Sequence, residues 1–137
     1  MDKEALKWPP RHNAHSVTDL KAHLVITPKY RQDILRFKIR EAAVPIFNQI
    51  FHDLNINVIE TAINPEHCHF AIDYPPYLSI SKIMQFLKGK SSYLLRRQFS
   101  ILPDYCPKHL WSDGYYAGGI GNNPGSVIKY IANQAGG

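Results

Sequence analysis

Hydrophobic and polar positions follow two different periods along this chain, and the periods predict where strands and helices lie. Three short segments contain β-branched and apolar residues, and a fourth contains alternating aromatic residues, which are all residue types typical of strands. The predicted strands are residues 20–30, 56–63, 67–73 and 111–119. Longer segments carry apolar residues at three- and four-residue steps, which indicates amphipathic helices. The predicted helices are residues 38–54, a second one capped by Ser79 or Ser81, and a short final one over residues 122–134.

The order of these elements is strand, helix, strand, strand, helix, strand, with one helix appended. This order predicts an α+β, ferredoxin-like (RRM-like) fold, in which a four-stranded antiparallel sheet carries two helices on one face. The residues "NPEH" (64–67) predict a tight turn that joins the second and third strands as a hairpin. Residues 1–18 predict an irregular N-terminal arm, so we expect a single domain over residues 19–137. Pro45 removes a backbone donor inside the first helix and should kink it unless it lies in the first turns.

Charge and cysteine content narrow the possible function classes. The 137 residues include sixteen Lys and Arg against eleven Asp and Glu, which gives a formal charge of +5. This excess favours a polyanionic partner such as nucleic acid without requiring one. Cys68 and Cys106 lie far apart and indicate neither a disulfide framework nor a zinc knuckle. Because the chain has neither a long apolar run nor a signal-peptide pattern, we expect a soluble, cytoplasmic protein.

Four residues could form a metal-assisted nucleophilic site. His67 and His69 are separated by one residue in a predicted strand, so their imidazoles should point to the same face. Tyr130 and Gln134 are four residues apart in the predicted final helix and should also share a face. Two imidazoles and an amide oxygen would hold a divalent cation, and the cation would activate a phosphate towards the tyrosine hydroxyl. Each residue also has an ordinary interpretation, as an exposed histidine, a packed tyrosine or a solvated glutamine.

Five segments in a fixed order carry a resemblance to a known family. They are "AHLVITPKYRQDIL", "NPEHCHFAID", "PPYLSISKIMQFLKGKSSYLLRR", "WSDGYY" and "YIANQ". Over residues 22–134 the chain resembles the single-tyrosine HUH transposases, the TnpA-type enzymes of the smallest bacterial and archaeal insertion sequences. Cys68 is a departure, since relatives usually carry valine or a similar apolar residue between the two histidines, but a buried cysteine packs as a small apolar residue.

The resemblance implies a reaction and a role for each of the four residues. His67, His69 and Gln134 would bind Mg²⁺ or Mn²⁺, and Tyr130 would attack a phosphodiester of single-stranded DNA at the ends of the element. The products would be a five-prime phosphotyrosine and a three-prime hydroxyl that later rejoins strands, without a nucleotide cofactor. Relatives bind DNA hairpins and act as homodimers in which the tyrosine helix of one subunit serves the histidine pair of the other.

The second predicted helix has a basic face, which is the expected DNA surface. Its cations would contact phosphates and are Lys82, Lys88, Lys90, Arg96 and Arg97. A solvated helix face is the ordinary alternative. Two other functions also stay open: a non-catalytic hairpin-binding protein of the same fold, and a small metal-dependent hydrolase that uses His67 and His69.

Overall fold

The computed structural model describes residues 9–120, in which a four-stranded antiparallel sheet packs against two long helices. Six strands are present in this range: β1 (Arg11–His12), β2 (Val17–Thr18), β3 (Lys21–Ile26), β4 (Asn57–Asn64), β5 (His67–Asp73) and β6 (Tyr116–Gly119). The helices are α1 (Phe37–Asp53), α2 (Ile80–Gln98) and the four-residue α3 (Leu102–Tyr105), with a 3-10 turn at Lys29–Arg31.

The main sheet has the strand order β4–β5–β3–β6, and each neighbouring pair is antiparallel. The α+β prediction with a four-stranded antiparallel sheet is therefore confirmed. Because the two central strands are the first and third long strands in the chain, the order is consistent with a ferredoxin-like arrangement. The appended helix predicted over residues 122–134 lies outside the described residues, and the single domain over residues 19–137 stays a prediction.

The core lies between the sheet and the helices, and it follows from the alternation of apolar residues in β3. Inward residues of β3 lie opposite inward residues of β5, in the pairs Ala22 with Ile72, Leu24 with Phe70 and Ile26 with Cys68. Phe47 and Phe51 of α1 pack edge to face against Phe70, with ring centroids 5.0 and 5.2 Å apart. Since these side chains all point towards α1 and α2, the residues between them in β3 and β5 point to the opposite sheet face.

Residues 11–18 form a small hairpin of β1 and β2, a departure from the irregular arm predicted for residues 1–18. Arg11 anchors this hairpin to the end of β5. Its Nη2 atom donates to the Asp73 carbonyl at 3.2 Å and lies 3.5 Å from the Asp73 carboxylate, which also accepts from Asn57 Nδ2 at 2.9 Å. Polar contacts between distant residues hold the hairpin, and such contacts leave no hydrophobic period in the sequence.

The fourth predicted strand, residues 111–119, is too long at its start. Only Tyr116–Gly119 pairs as a strand, and Trp111 forms an isolated bridge with Pro28. Side-chain hydrogen bonds hold the segment between them, where Lys88 Nζ donates to the carbonyl oxygens of Asp113 and Gly114 at 3.0 and 3.1 Å. These two carbonyls accept hydrogen bonds from a lysine side chain, and the segment that contains them is a loop.

Helix α1 lies within one residue of the predicted 38–54 at each end, and helix α2 starts at one of its two predicted caps. Ser79 is the N-cap of α2, because its hydroxyl accepts a hydrogen bond from the Lys82 backbone nitrogen at 3.1 Å. Helix α1 continues from Phe37 to Asp53 across Pro45. Pro45 is exposed, and so is Glu41, whose backbone carbonyl loses its helical donor to the proline. In the described part of the chain, no helix combines the length and the apolarity needed to cross a membrane.

Candidate metal and DNA-binding site

His67 and His69 stand side by side on the sheet face opposite α1 and α2. The intervening Cys68 and the following Phe70 point into the core. The two imidazole centroids are 4.6 Å apart with the rings at 74°, and His69 is only 6% exposed. The prediction that both rings share one face is confirmed, and their role as metal ligands stays a prediction.

Asn64 brings an amide group to this pair of histidines. It is the last residue of β4, lies directly opposite His67 across the two-residue turn, and is buried. Its Nδ2 atom is 2.6 Å from His67 Nε2. Rotation of the amide about its terminal bond would present the oxygen at the same place. Sequence analysis missed Asn64, although the register of the "NPEH" turn already placed it beside His67.

His23 of β3 contacts His69 from the neighbouring strand. Its Nε2 atom is 3.2 Å from His69 Nδ1, and the Tyr116 ring packs edge-on against it with the centroids 5.7 Å apart. The Tyr116 side chain lies over Gly118, where a Cβ atom would be 2.5 Å from the Tyr116 hydroxyl oxygen. A Cβ atom at position 118 would therefore displace the end of the Tyr116 side chain from this position. Sequence analysis missed His23 because the contact depends on the pairing of β3 with β5.

Burial favours the neutral form of two histidines on this face. Burial, together with smaller effects of the neighbouring His67 and His23, lowers the pKa of His69 to about 4. Burial also lowers the pKa of His23. A neutral imidazole offers a nitrogen lone pair to a metal ion, whereas a protonated imidazole does not. Above about pH 5, His69 can therefore bind a cation without first losing a proton.

The described residues bring together some of the donor groups that the predicted metal site requires. Within residues 9–120, no group of three His, Cys, Asp or Glu side chains is arranged to hold a metal ion. His67, His69 and the Asn64 amide give two nitrogen ligands and one oxygen, a set that suits divalent ions such as Mn²⁺. The predicted nucleophile Tyr130 and the predicted ligand Gln134 lie outside the described residues, so their approach to the histidines stays a prediction.

Two of the five predicted DNA-binding cations hold the loop that precedes β6. Lys88 donates to the carbonyls of Asp113 and Gly114, as described above, and burial lowers its pKa while Asp113 opposes that effect. Arg96 Nη1 donates to the Lys108 carbonyl at 3.0 Å. Lys88 and Arg96 thus have a structural role, and their contact with DNA stays a prediction.

The other three cations share one side of α2 with two aromatic residues. We call this set the cationic stripe; it consists of Lys82, Phe86, Lys90, Tyr93 and Arg97. Steps of three or four residues place neighbours in contact on a helix. The ammonium groups of Lys82 and Lys90 are 5.5 and 5.9 Å from the Phe86 ring centroid, and the Arg97 guanidinium is 6.0 Å from that of Tyr93. Since α2 contains no Asp or Glu, the charged groups of this helix would all attract phosphate.

Comparison with known proteins identifies relatives over most of the chain. Residues 16–134 match a family described as "Transposase IS200 like". The chain is 34% identical over 122 residues to the transposase for insertion sequence element IS200 of Salmonella typhimurium, covering 88% of this chain and 80% of the relative. It is 28% identical over 123 residues to the ISDra2 transposase TnpA of Deinococcus radiodurans, covering 86% of each protein.

Two solved structures share the fold at low sequence identity. A candidate transposase of Deinococcus radiodurans superimposes with a TM-score of 0.76 at 19% identity, covering 91% of this chain and 97% of that one. A REP-associated tyrosine transposase bound to a REP hairpin superimposes with a TM-score of 0.61 at 14% identity, covering 90% of this chain and 71% of that one. With the family match over residues 16–134 and the identity to the Salmonella protein, these findings show that the chain belongs to the IS200-like family of transposases.

Proposed function

We propose that this chain cleaves and rejoins single-stranded DNA at the ends of an insertion sequence, through a covalent five-prime phosphotyrosine on Tyr130. The observation that carries the proposal is the pair of imidazoles of His67 and His69, 4.6 Å apart on one sheet face in a chain of a transposase family. The same face carries the Asn64 amide, which adds an oxygen donor. This donor set supports metal-assisted phosphodiester chemistry.

The proposed metal ion is Mg²⁺ or Mn²⁺, held by His67, His69 and an amide oxygen from Gln134 or Asn64. When bound, such an ion polarises the phosphate and stabilises the charge that develops on its oxygens. The chain contributes the spacing of the ligands, because β5 fixes both histidines on one face. It also contributes a neutral His69 over the physiological pH range, because burial lowers the pKa of that residue to about 4.

The chemical step is a transesterification. The Tyr130 hydroxyl loses its proton to solvent as its oxygen forms a bond to phosphorus. The bond from phosphorus to the three-prime oxygen breaks, and that oxygen takes up a proton from solvent to become a three-prime hydroxyl, so no net proton is gained or lost. Because the covalent intermediate keeps the energy of the phosphodiester bond, a later attack by a three-prime hydroxyl can rejoin strands without ATP. We further propose that the protein is a homodimer in which Tyr130 of one subunit reacts at the histidine pair of the other.

We propose a DNA hairpin as the recognised partner, bound by the cationic stripe of α2. The structural neighbour bound to a REP hairpin supports the choice of a hairpin. The alternation of cations and aromatic rings supports the choice of surface, since cations contact phosphates and rings stack on unpaired bases of a hairpin loop. This surface and the histidine pair lie on different faces of the sheet, so hairpin binding and cleavage would use separate regions of one DNA strand.

The position of the label in a cleavage assay tests this function. The substrate is a single strand that carries an insertion-sequence hairpin with its flanks, incubated with the full chain and Mn²⁺. A three-prime label should become attached to the protein, and a five-prime label should be released on a fragment with a free three-prime hydroxyl. Chelation of the metal should stop both. A product with a free five-prime phosphate would show a hydrolase, and binding without any product would show a hairpin-binding protein; either result overturns the proposal.

Lys90→Gln is expected to weaken hairpin binding in a way that depends on salt, whereas Lys88→Gln is not. Lys90 is exposed on the cationic stripe, and Lys88, two residues earlier, donates to loop carbonyls. Loss of one phosphate contact lowers the slope of log K against log salt concentration by about 0.7 to 0.9. We expect a change of this size for Lys90→Gln and an unchanged slope for Lys88→Gln, measured by fluorescence anisotropy between low and moderate salt.

Thermal unfolding distinguishes the structural role of Lys88 from the surface position of Lys90. Lys88→Gln should lower the Tm, because it removes two hydrogen bonds that hold the loop before β6. Lys90→Gln should change the Tm less, since Lys90 is exposed and its contact with the Phe86 ring, at 5.9 Å, is weak in water. Equal salt slopes for wild type and Lys90→Gln would show that hairpin phosphates do not contact the cationic stripe at this residue.

A further inference from the structure

The contact between His23 and His69 has the geometry of a hydrogen bond in the plane of both rings. The nitrogen atoms are 3.2 Å apart and the ring centroids 5.4 Å apart, with the rings at 19° to each other. If each nitrogen lay on the line that joins the two ring centres, the centroid separation would equal the nitrogen separation plus the centre-to-nitrogen distance of each ring. The observed separations agree with this sum. The two nitrogens therefore face each other along the line between nearly coplanar rings, which is the favourable direction for a hydrogen bond.

This hydrogen bond decides which nitrogen of His69 can bind a cation. A neutral imidazole has one N–H group and one nitrogen lone pair, and either ring could be the donor in a bond between two of them. If His69 Nδ1 donates, the lone pair of His69 is on Nε2, the nitrogen that would coordinate a metal ion. If His23 Nε2 donates, His69 carries its proton on Nε2 and cannot coordinate a cation there. Only the first arrangement is compatible with a metal ligand at His69.

We infer that His23 is a positioning residue that accepts a hydrogen bond from His69 Nδ1 and thereby directs His69 Nε2 to the metal ion. The inference rests on the proposed function, because it assigns to His23 a contact that orients a ligand of the proposed metal ion. Metal-bound histidines usually donate their other N–H to an acceptor that fixes the tautomer and the ring orientation. Here an imidazole on the next strand takes the place of the more common carboxylate or carbonyl.

The surroundings of His23 hold its ring in the required position. Residue 23 lies between Ala71 of β5 and Gly118 of β6 in the sheet register. The Tyr116 ring packs edge-on against His23, and it does so across Gly118, where a Cβ atom would clash with the Tyr116 hydroxyl. The small residues on both sides leave room for an imidazole that lies close to the sheet and points towards His69.

Two substitutions at His23 distinguish the effect of the acceptor nitrogen from the effect of the aromatic ring. His23→Phe keeps an aromatic ring of similar size and removes the acceptor nitrogen. His23→Gln removes the ring and can place its amide oxygen at about the same distance along the side chain as Nε2. We expect His23→Phe to weaken Mn²⁺ binding by about 10- to 100-fold, and His23→Gln to recover most of this loss. Calorimetry with Mn²⁺ and the full chain measures both, with His52→Phe on the exposed end of α1 as the matched control.

The tautomer of His69 can be determined by NMR in the metal-free protein. In metal-free protein near pH 7, ring ¹⁵N NMR should show His69 protonated on Nδ1 in wild type and in His23→Gln, and a mixture of tautomers in His23→Phe. Protonation of His69 on Nε2 in wild type, or an unchanged tautomer together with unchanged Mn²⁺ affinity in a folded His23→Phe, would overturn the role of His23. Absence of Mn²⁺ binding to wild type would instead overturn the proposed metal site, while the NMR result still decides whether His23 accepts from His69.

Discussion

Replacement of Tyr130 by phenylalanine is expected to abolish strand cleavage and the covalent DNA adduct, and to leave hairpin affinity unchanged. The substitution removes a single oxygen atom, which is the proposed nucleophile, and a phenyl ring offers no alternative group for attack on phosphorus. We expect cleavage to fall by at least about 10³-fold. Denaturing electrophoresis of three-prime-labelled substrate measures the adduct, and anisotropy with the same strand measures binding.

Tyr105→Phe is the matched control for Tyr130→Phe. Tyr105 is half exposed in α3, so this variant also loses one hydroxyl group but should keep full activity. The pattern of products separates the three candidate functions. Cleavage that persists in Tyr130→Phe would show that water or another residue is the nucleophile. An adduct that persists and maps to another tyrosine would overturn the assignment of Tyr130 while the covalent mechanism stays.

The first helix and the two strands of the central hairpin were predicted to within one residue at each end, whereas the first predicted strand (20–30) was too long at its end and the fourth (111–119) too long at its start. The strand predicted over residues 67–73 is β5 (His67–Asp73), and its pairing with β4 follows the predicted hairpin. Two signals act together here, because a tight turn fixes the register and the alternation of the strand fixes which side chains share a face. The shared face of His67 and His69 followed directly from that register.

The contacts that complete the site depend on distant pairing, which the sequence alone does not specify. His23 meets His69 because β3 lies beside β5, and these strands are far apart along the chain. Tertiary contacts also decide which α2 cations bond to the loop before β6 and which remain on the cationic stripe. Lys88 and Lys90 have the same charge on the same helix, but only Lys88 reaches the carbonyls of Asp113 and Gly114. Local periodicity identifies a basic helix, and the tertiary fold decides which of its cations are used internally.

Replacement of His69 by asparagine is expected to lower Mn²⁺ affinity on the order of 100-fold or more and to reduce cleavage to a similar extent. Asparagine keeps a polar side chain but removes the imidazole nitrogen that would coordinate the cation. A high Mn²⁺ concentration should restore part of the activity, which a misfolded protein would not show. His52→Asn, at the exposed end of α1, is the matched control. Wild-type Mn²⁺ affinity in a folded His69→Asn would exclude His69 as a ligand.

The same variant should change how stability depends on pH. In the unfolded chain His69 takes up a proton near its ordinary pKa of about 6.5, whereas burial lowers the pKa in the folded protein to about 4. Stability is therefore at its full value above pH 6.5 and falls as the pH drops, because the unfolded state binds more protons. At pH 4 this loss of stability is about 3 kcal/mol. The variant His69→Asn does not lose this stability, because asparagine has no imidazole to take up a proton. Denaturant unfolding in the presence of a chelator should show the stability of wild type, relative to that of His69→Asn, falling by about 3 kcal/mol between pH 7 and pH 4; an equal difference at both pH values would mean that the folded state does not hold His69 neutral.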